Sequence, residues 1–216
     1  MSHPLEPLLF AGGRDVRPQL AIKRALDIVI SAFGLLFLSP ALIAIMLGVA
    51  MSSRGGVFYT CHWVGKGGRR FDGYKFRTMV ADADAQEAEL QHLNEMEGPA
   101  FKLTNDPRIT PIGRVLRKYS LDELPQLWSV LKGDLSLVGP RPPRVHEYEQ
   151  FTDFQRQKLT VQPGITCLWQ VEGRHRINNY DDWVERDLEY IRTWSLGLDL
   201  MILVKTAGVV VRGTGI

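Results

Sequence analysis

From Ala25 to Met51 the chain carries one charge, Asp27, in an otherwise apolar run that a proline divides in two. Length alone would allow a membrane span, since roughly 20 apolar residues cross a hydrocarbon core of about 30 Å. Ser39-Pro40 falls in the middle, where proline removes a backbone donor and its ring clashes with the preceding turn. At about 1.5 Å per residue each arm is too short to cross, so the segment is expected to enter and leave a bilayer by one face. Lys23 and Arg24 precede it and Arg54, Lys66, Arg69 and Arg70 follow, which places both ends in the cytoplasm. A single kinked span is the alternative, because transmembrane helices tolerate proline. A signal peptide fits poorly, since the run exceeds the usual length of about 7–15 residues and starts late, after Pro4, Pro7 and Pro18. An ordinary core helix fits poorly too, because the segment is apolar nearly all round.

A chain of 216 residues supports one sizeable domain besides such an anchor, and 45% hydrophobic residues is ordinary for it. The net charge of +2 argues against nucleic acid as a partner. Basic residues cluster instead near the apolar run and near Asp122-Glu123, which points to phosphate ligands and anionic lipid. Cys61 and Cys167 lie far apart, without metal-ligand spacing or a disulfide framework, as suits a reducing compartment.

Residues 119–142 set the adjacent carboxylates Asp122 and Glu123 between a basic stretch and a Gly-Pro-Arg-Pro turn. An isolated Asp-Glu pair opening a helix does no more than complement the helix dipole. Here Arg114, Arg117, Lys118 and Arg141 flank the pair, and carboxylates that hold a divalent metal or attack phosphorus need such cations to neutralise phosphate.

The remaining elements are read from pattern. Val57 to Thr60 and Phe71 to Met79 are expected as strands, the second ending in Lys75 and Arg77, with Gly65-Lys66-Gly67-Gly68 as the hairpin turn rather than a nucleotide cradle. Ala81 to Glu97 reads as a solvated helix without chemistry, 99–108 as a connection closing beside the site, and Pro111 as the first turn of another helix. On that helix Arg114, Arg117 and Lys118 lie off the apolar stripe, suited equally to snorkelling and to phosphate. A helix from Arg144 to Leu159, a turn over 161–166, a strand Leu168–Val171 and a helix Asp181–Thr193 follow. Residues 194–212 read as an amphipathic helix at a membrane surface, with core packing as the alternative. The first 18 residues read as a mobile N-terminal segment.

Several runs together resemble the bacterial sugar transferases, in their monotopic form, that move a sugar phosphate onto a polyprenyl phosphate. They are Lys23 to Asp27, Ser39-Pro40, Tyr74 to Met79, Asn105 to Arg108, Ser120 to Pro125, Lys132 to Asp134, Val138 to Pro142 and Gln162 to Thr166. The resemblance implies a helix-rich α/β fold with interfacial amphipathic helices. It divides the chain into residues 1–18, a re-entrant membrane helix broken at Ser39-Pro40 over 19–54, and a cytoplasmic catalytic domain over 55–216. The activity it implies is transfer of a hexose 1-phosphate, glucose or galactose, from a UDP-sugar to undecaprenyl phosphate with release of UMP, on the cytoplasmic face of a bacterial membrane. Asp122 and Glu123 are expected to be catalytic and to hold Mg²⁺, with Mn²⁺ as a substitute. Lys75, Arg77, Thr78, Arg117, Arg141, Gly164, Thr166 and Arg174 are expected to bind substrate. Membrane lipid, a second copy of the chain and downstream glycosyltransferases are the further partners implied. Larger relatives carry extra amino-terminal membrane helices, so the chain is expected to stand near the minimal catalytic unit. Cys167 departs from the family's usual glycine and is not read as a nucleophile. A nucleotide-sugar pyrophosphatase and a non-catalytic assembly scaffold are the competing classes.

Overall fold

The computed structural model describes residues 16–52, 54–173 and 177–214; Arg174 lies outside them. Helices α1 (Arg17–Phe37) and α2 (Ser39–Ser52) meet at Leu38 with a bend of 63°. Pro40 cannot donate to the carbonyl of Leu36 four residues back. The Ser39 hydroxyl donates to that carbonyl instead, at 2.8 Å, so the break leaves no orphaned acceptor there. Among the described residues no single helix is long and apolar enough to cross a membrane, whereas this bent pair passes by length and composition.

One face of α1 is welded to the rest of the chain. Arg24 donates to the Val130 and Leu131 carbonyls at 2.6 and 2.9 Å, Lys23 bridges the Val138 carbonyl and Asp199 at 2.9 and 2.6 Å, and Asp27 accepts from the Leu137 N–H at 3.0 Å. The two cations expected only to flank a membrane segment therefore also dock it. The opposite face leaves Val29, Phe33, Leu36 and Phe37 exposed.

Strands β1 (Phe58–Val64) and β2 (Arg70–Phe76) form an antiparallel hairpin, with Cys61 opposite Gly73. Its 3₁₀ turn, Lys66–Gly68, has Gly67 and Gly68 at φ of 67° and 84°, the left-handed region that glycine enters without a Cβ penalty. The second strand stops at Phe76, short of the expected Met79. Helices α3 (Ala83–Leu90), α4 (Pro111–Lys118) and α5 (Leu127–Lys132) follow. The acidic helix is shorter than the expected 81–97 because Asn94 accepts from the backbone N–H groups of Met96 and Lys102, which turns the chain.

Strand β3 (Ser136–Val138) pairs in parallel with β4 (Gly164–Thr166), where only a turn was expected. Between them the expected single helix is two, α6 (Val145–Glu149) and α7 (Asp153–Arg156), because Thr152 and Gln155 form a capping box that restarts the helix. The expected strand at Leu168–Val171 is instead helix α8 (Leu168–Gly173), after which come α9 (Tyr180–Thr193) and α10 (Leu196–Arg212). Four mostly apolar residues carry no usable period; the Gln170 side chain accepting from the Cys167 N–H at 3.0 Å closes a helical turn. The fold is thus helix-rich α/β with two small sheets. Its main core gathers Trp63, Leu135, Leu137, Val138 and Ile202, a second gathers Phe151, Cys167, Trp169 and Trp183, and a third joins α2 to β2 and α4 through Val49, Phe76 and Leu116.

Candidate active site

The hairpin, α3, α8, α9 and the turn between α4 and α5 enclose a cleft of about 230 Å³. That turn, Leu121–Gln126, is a 3₁₀ segment carrying Asp122, Glu123 and Pro125, and Ser120 enters it in the left-handed region at φ 53°, ψ 26°. A non-glycine residue held there is costly, so the surrounding packing must fix the turn. The result sets Asp122 in the wall of the cleft, 8% exposed. Burial pushes its pKa up; Lys75 opposes the rise, Glu123 adds to it, and Arg117 opposes it in turn. Glu123 pairs with Lys75 of β2 at 2.6 Å.

Arg117 reaches the cleft because α4 lies unusually close to the strand exit. A β-carbon on Gly113 would clash with the Thr78 carbonyl, and that carbonyl accepts from the Thr110 N–H and hydroxyl at 3.0 and 3.2 Å. One turn after Gly113, the Arg117 Nε donates to the Thr78 hydroxyl at 2.9 Å. Arg117 therefore faces the site and does not snorkel.

Of the expected substrate-binding residues, Lys75, Arg77, Thr78, Arg117 and Arg141 all line the cleft. Their situations differ. Arg77 donates to the Gly56 and Phe58 carbonyls at 3.1 and 3.4 Å and lies over the Tyr59 ring, so it braces the entry to the hairpin. Arg141 is half-buried and makes no hydrogen bond or ion pair among the described residues, which leaves its guanidinium to a ligand. Gly164 and Thr166 do not line the cleft. Gly164 lies so close to the Gly139 backbone that a side chain would clash, and the Thr166 hydroxyl bonds to that of Thr206 at 2.8 Å. Their positions suit strand packing and a neighbouring recess rather than this cleft.

Four further charged residues belong to the cleft walls. Arg108, 2% exposed along its side chain, pairs with Asp106 at 2.7 Å and with Glu87 at 3.3 Å, and Glu87 also meets Arg144 at 3.5 Å. Helix α3, to which no chemistry was assigned, thus supplies a carboxylate that orders two arginines. No spacing signal reveals this, because the partners lie 21 and 57 residues from Glu87. Trp169 and Trp183 stack at 4.4 Å along another wall, beside Gln170. Burial pushes the Cys61 and Cys167 thiols up, which agrees with neither being a nucleophile.

Asp122 and Glu123 are the metal-holding candidates. Among the described residues no group of three or more His, Cys, Asp or Glu side chains gathers as a metal site. Two adjacent carboxylates without nitrogen or sulfur partners suit a hard ion such as Mg²⁺, which takes one or two protein carboxylates and completes its shell with phosphate oxygens and water. A buried carboxylate, a paired glutamate and five arginines, Arg77, Arg108, Arg117, Arg141 and Arg144, thus share one cleft.

Residues 18–213 match the family described as bacterial sugar transferase. The chain is 46% identical over 197 residues to the galactosyl transferase CpsE of Streptococcus agalactiae, which covers 91% of this chain and 43% of that protein. It is 42% identical over 218 residues to the undecaprenyl-phosphate galactose phosphotransferase of Salmonella typhimurium, covering 99% and 45%. It is 40% identical over 197 residues to the exopolysaccharide production protein ExoY of Rhizobium meliloti, covering 89% and 87%. The chain spans less than half the length of the first two. It belongs to the bacterial sugar transferase family.

Proposed function

We propose that the protein transfers a hexose 1-phosphate, galactose or glucose, from a UDP-sugar to undecaprenyl phosphate and releases UMP, an early membrane step in exopolysaccharide or surface glycan synthesis. The observation that carries this reading is Asp122 facing a cleft whose walls hold Lys75, Arg117 and the unpartnered Arg141. Relatives named as galactose and glucose phosphotransferases of undecaprenyl phosphate support the choice of donor and acceptor.

Asp122 acts as the nucleophile. Its carboxylate attacks the sugar-linked phosphorus of the donor, the bond from that phosphorus to the bridging oxygen breaks, and UMP departs with the electron pair. The acceptor's phosphate oxygen then attacks the acyl phosphate, and the Asp122 carboxylate is regenerated. Mg²⁺ held by Asp122 and Glu123 would supply charge neutralisation for the meeting of anions. Lys75 and Arg117 favour the ionised form of Asp122 against the cost of its burial. Arg141 binds the donor's diphosphate, for which a planar guanidinium is suited. Glu123 holds Lys75 beside Asp122, besides serving as metal ligand or as base toward the acceptor.

The bent α1–α2 pair is read as a re-entrant anchor on the cytoplasmic face of the membrane. Exposed Ile43, Leu47 and Met51 on α2, Val115 on α4 and Trp128 on α5 support it, since α4 packs on α2 and α5 on α1. Single cysteines replacing Arg17 and Arg54, with Cys61 and Cys167 removed, should both label from the cytoplasm; labelling of one from the periplasm would mean a true span. For the chemistry, purified protein with Mg²⁺ and UDP-sugar but no lipid should release up to one UMP per enzyme and become covalently labelled. Label that persists in Asp122→Asn, or no UMP until both substrates are present, would leave direct transfer.

A further inference from the structure

A second recess, of about 150 Å³, lies on the other side of the Asp122-Glu123 turn. Its walls are Leu124 and Leu127 from the turn and the start of α5, Ile165 from β4, Val171 from α8, and Val209 and Val210 from α10. All six are only partly buried, so the recess is an open apolar groove rather than a core void. Two residues line both this groove and the catalytic cleft: Glu123 and Gln170. The two spaces are therefore neighbours across these two side chains, one of which adjoins Asp122 in the chain.

The junction is chemically specific. The Gln170 carboxamide oxygen accepts from the Cys167 N–H at 3.0 Å and from its Sγ at 3.2 Å, which assigns oxygen to the protein side and leaves the –NH₂ as a donor at the junction. Outside the groove, α10 also carries Val204 and Val211, 74% and 80% exposed. A ligand lying in the groove thus meets an amide donor at its Gln170 end.

We propose that this groove holds the first isoprene units of the acceptor, with the acceptor phosphate at the Gln170 amide beside the Lys75–Glu123 pair. The inference rests on the transfer reading above, which requires an apolar acceptor whose phosphate reaches the Asp122-bound phosphosugar. The groove meets that need in shape: it is mostly apolar, apart from Ser120 and the mutually bonded Thr166 and Thr206, and polar at Glu123 and Gln170 beside the catalytic cleft. A second copy of the chain or a stray acyl chain would have no reason to end at Glu123.

Val209→Trp fills the groove, and Val211→Trp, on the same helix but outside it, is the control. With undecaprenyl phosphate, Val209→Trp should raise the acceptor KM about ten-fold or more, equivalent to about 1.4 kcal/mol of lost binding, whereas Val211→Trp should leave it within about two-fold, a difference of roughly 0.4 kcal/mol. With methyl phosphate as acceptor, which has no isoprene chain to seat in the groove, the ratio should fall toward one. The UMP burst with donor alone should stay at the wild-type level in both variants. Val210→Trp repeats the test should Val209→Trp fail to fold. An unchanged acceptor KM in a normally transferring variant, or an equal loss with both acceptors, overturns the groove alone. Loss of vesicle binding in Val209→Trp that accounts for the KM change overturns it as well, reducing α10 to a membrane contact. A wild type that passes the phosphosugar only to water overturns the transfer reading and the groove with it.

Discussion

Asp122 and Asp187 are both buried aspartates with a lysine close by, yet their neighbourhoods prepare them for different work. Asp187 on α9 pairs with Lys158 at 2.6 Å, and each side chain is 1% exposed. Lys158 also lies 5.4 Å from the Tyr180 ring, and Cys167 and Trp169 complete the enclosure. Asp122 is nearly as buried, but the lysine beside it is held by Glu123 rather than by Asp122 itself, and its carboxylate faces a cleft. Burial raises both carboxyls and a lysine opposes both rises. A buried carboxylate near a cation is therefore no sign of chemistry by itself; access for a ligand distinguishes the two.

The sharpest test exchanges each aspartate for its neutral isostere. Asp122→Asn should lower transfer by about 10⁴-fold or more, as loss of a nucleophilic group does. It should also raise Tm at pH 8. The folded pKa of Asp122 lies above the unfolded value of 3.8, so the wild-type fold is penalised where this group is ionised. The gain in Tm should shrink as pH falls through the raised pKa and vanish near pH 4, close to that unfolded value. A Tm difference that grows toward low pH would contradict the assignment.

Asp187→Asn should do the reverse. It strands the Lys158 charge in the core and should cost about 3–5 kcal/mol in urea unfolding, with activity per folded molecule retained. Lys158→Met combined with Asp187→Leu should recover most of that loss, since a buried pair replaced by apolar residues is often neutral. A double variant as unstable as the single would mean that the pair does more than neutralise itself.

Smaller effects should separate the cleft's own cations. Arg117→Lys loses the Nε bond to Thr78 and should reduce kcat/KM by about 10–100-fold, some 1.4–2.7 kcal/mol. Thr78→Val, which removes only the acceptor, should cost about 1 kcal/mol, or roughly five-fold. Arg141→Lys keeps the charge but loses the planar fork, and should raise the donor KM several-fold, on the order of 1 kcal/mol. Near-normal donor kinetics in Arg141→Lys would move that residue out of the site.

The same contrast explains what the sequence disclosed. The placing of Asp122 and Glu123 together beside cations was legible because they adjoin in the chain and their cationic context is local. The bend at Ser39-Pro40 was legible because proline acts on its own backbone, and the hairpin because its glycines mark a turn. The Glu87, Arg108 and Arg144 network was not legible, since tertiary packing alone brings those residues together. Arg117 could be placed off its helix's apolar stripe but not aimed, because its direction depends on Gly113 seating the helix against Thr78. Gly164 and Thr166 could not be assigned to one cavity for a related reason: a family motif records both packing and chemistry, and a glycine that lets two backbones touch reads like one that lets a phosphate approach.

The weld between α1 and the core has a mechanical meaning. Lys23 and Tyr190 both donate to the Val138 carbonyl, at 2.9 and 3.3 Å, and Asp27 holds the neighbouring Leu137 N–H. Arg141 follows three residues later. Helix α1, strand β3 and the arginine-bearing turn are therefore joined through one carbonyl, that of Val138. A substitution that loosens α1 at that joint is therefore expected to be felt first where the strand runs on into Arg141.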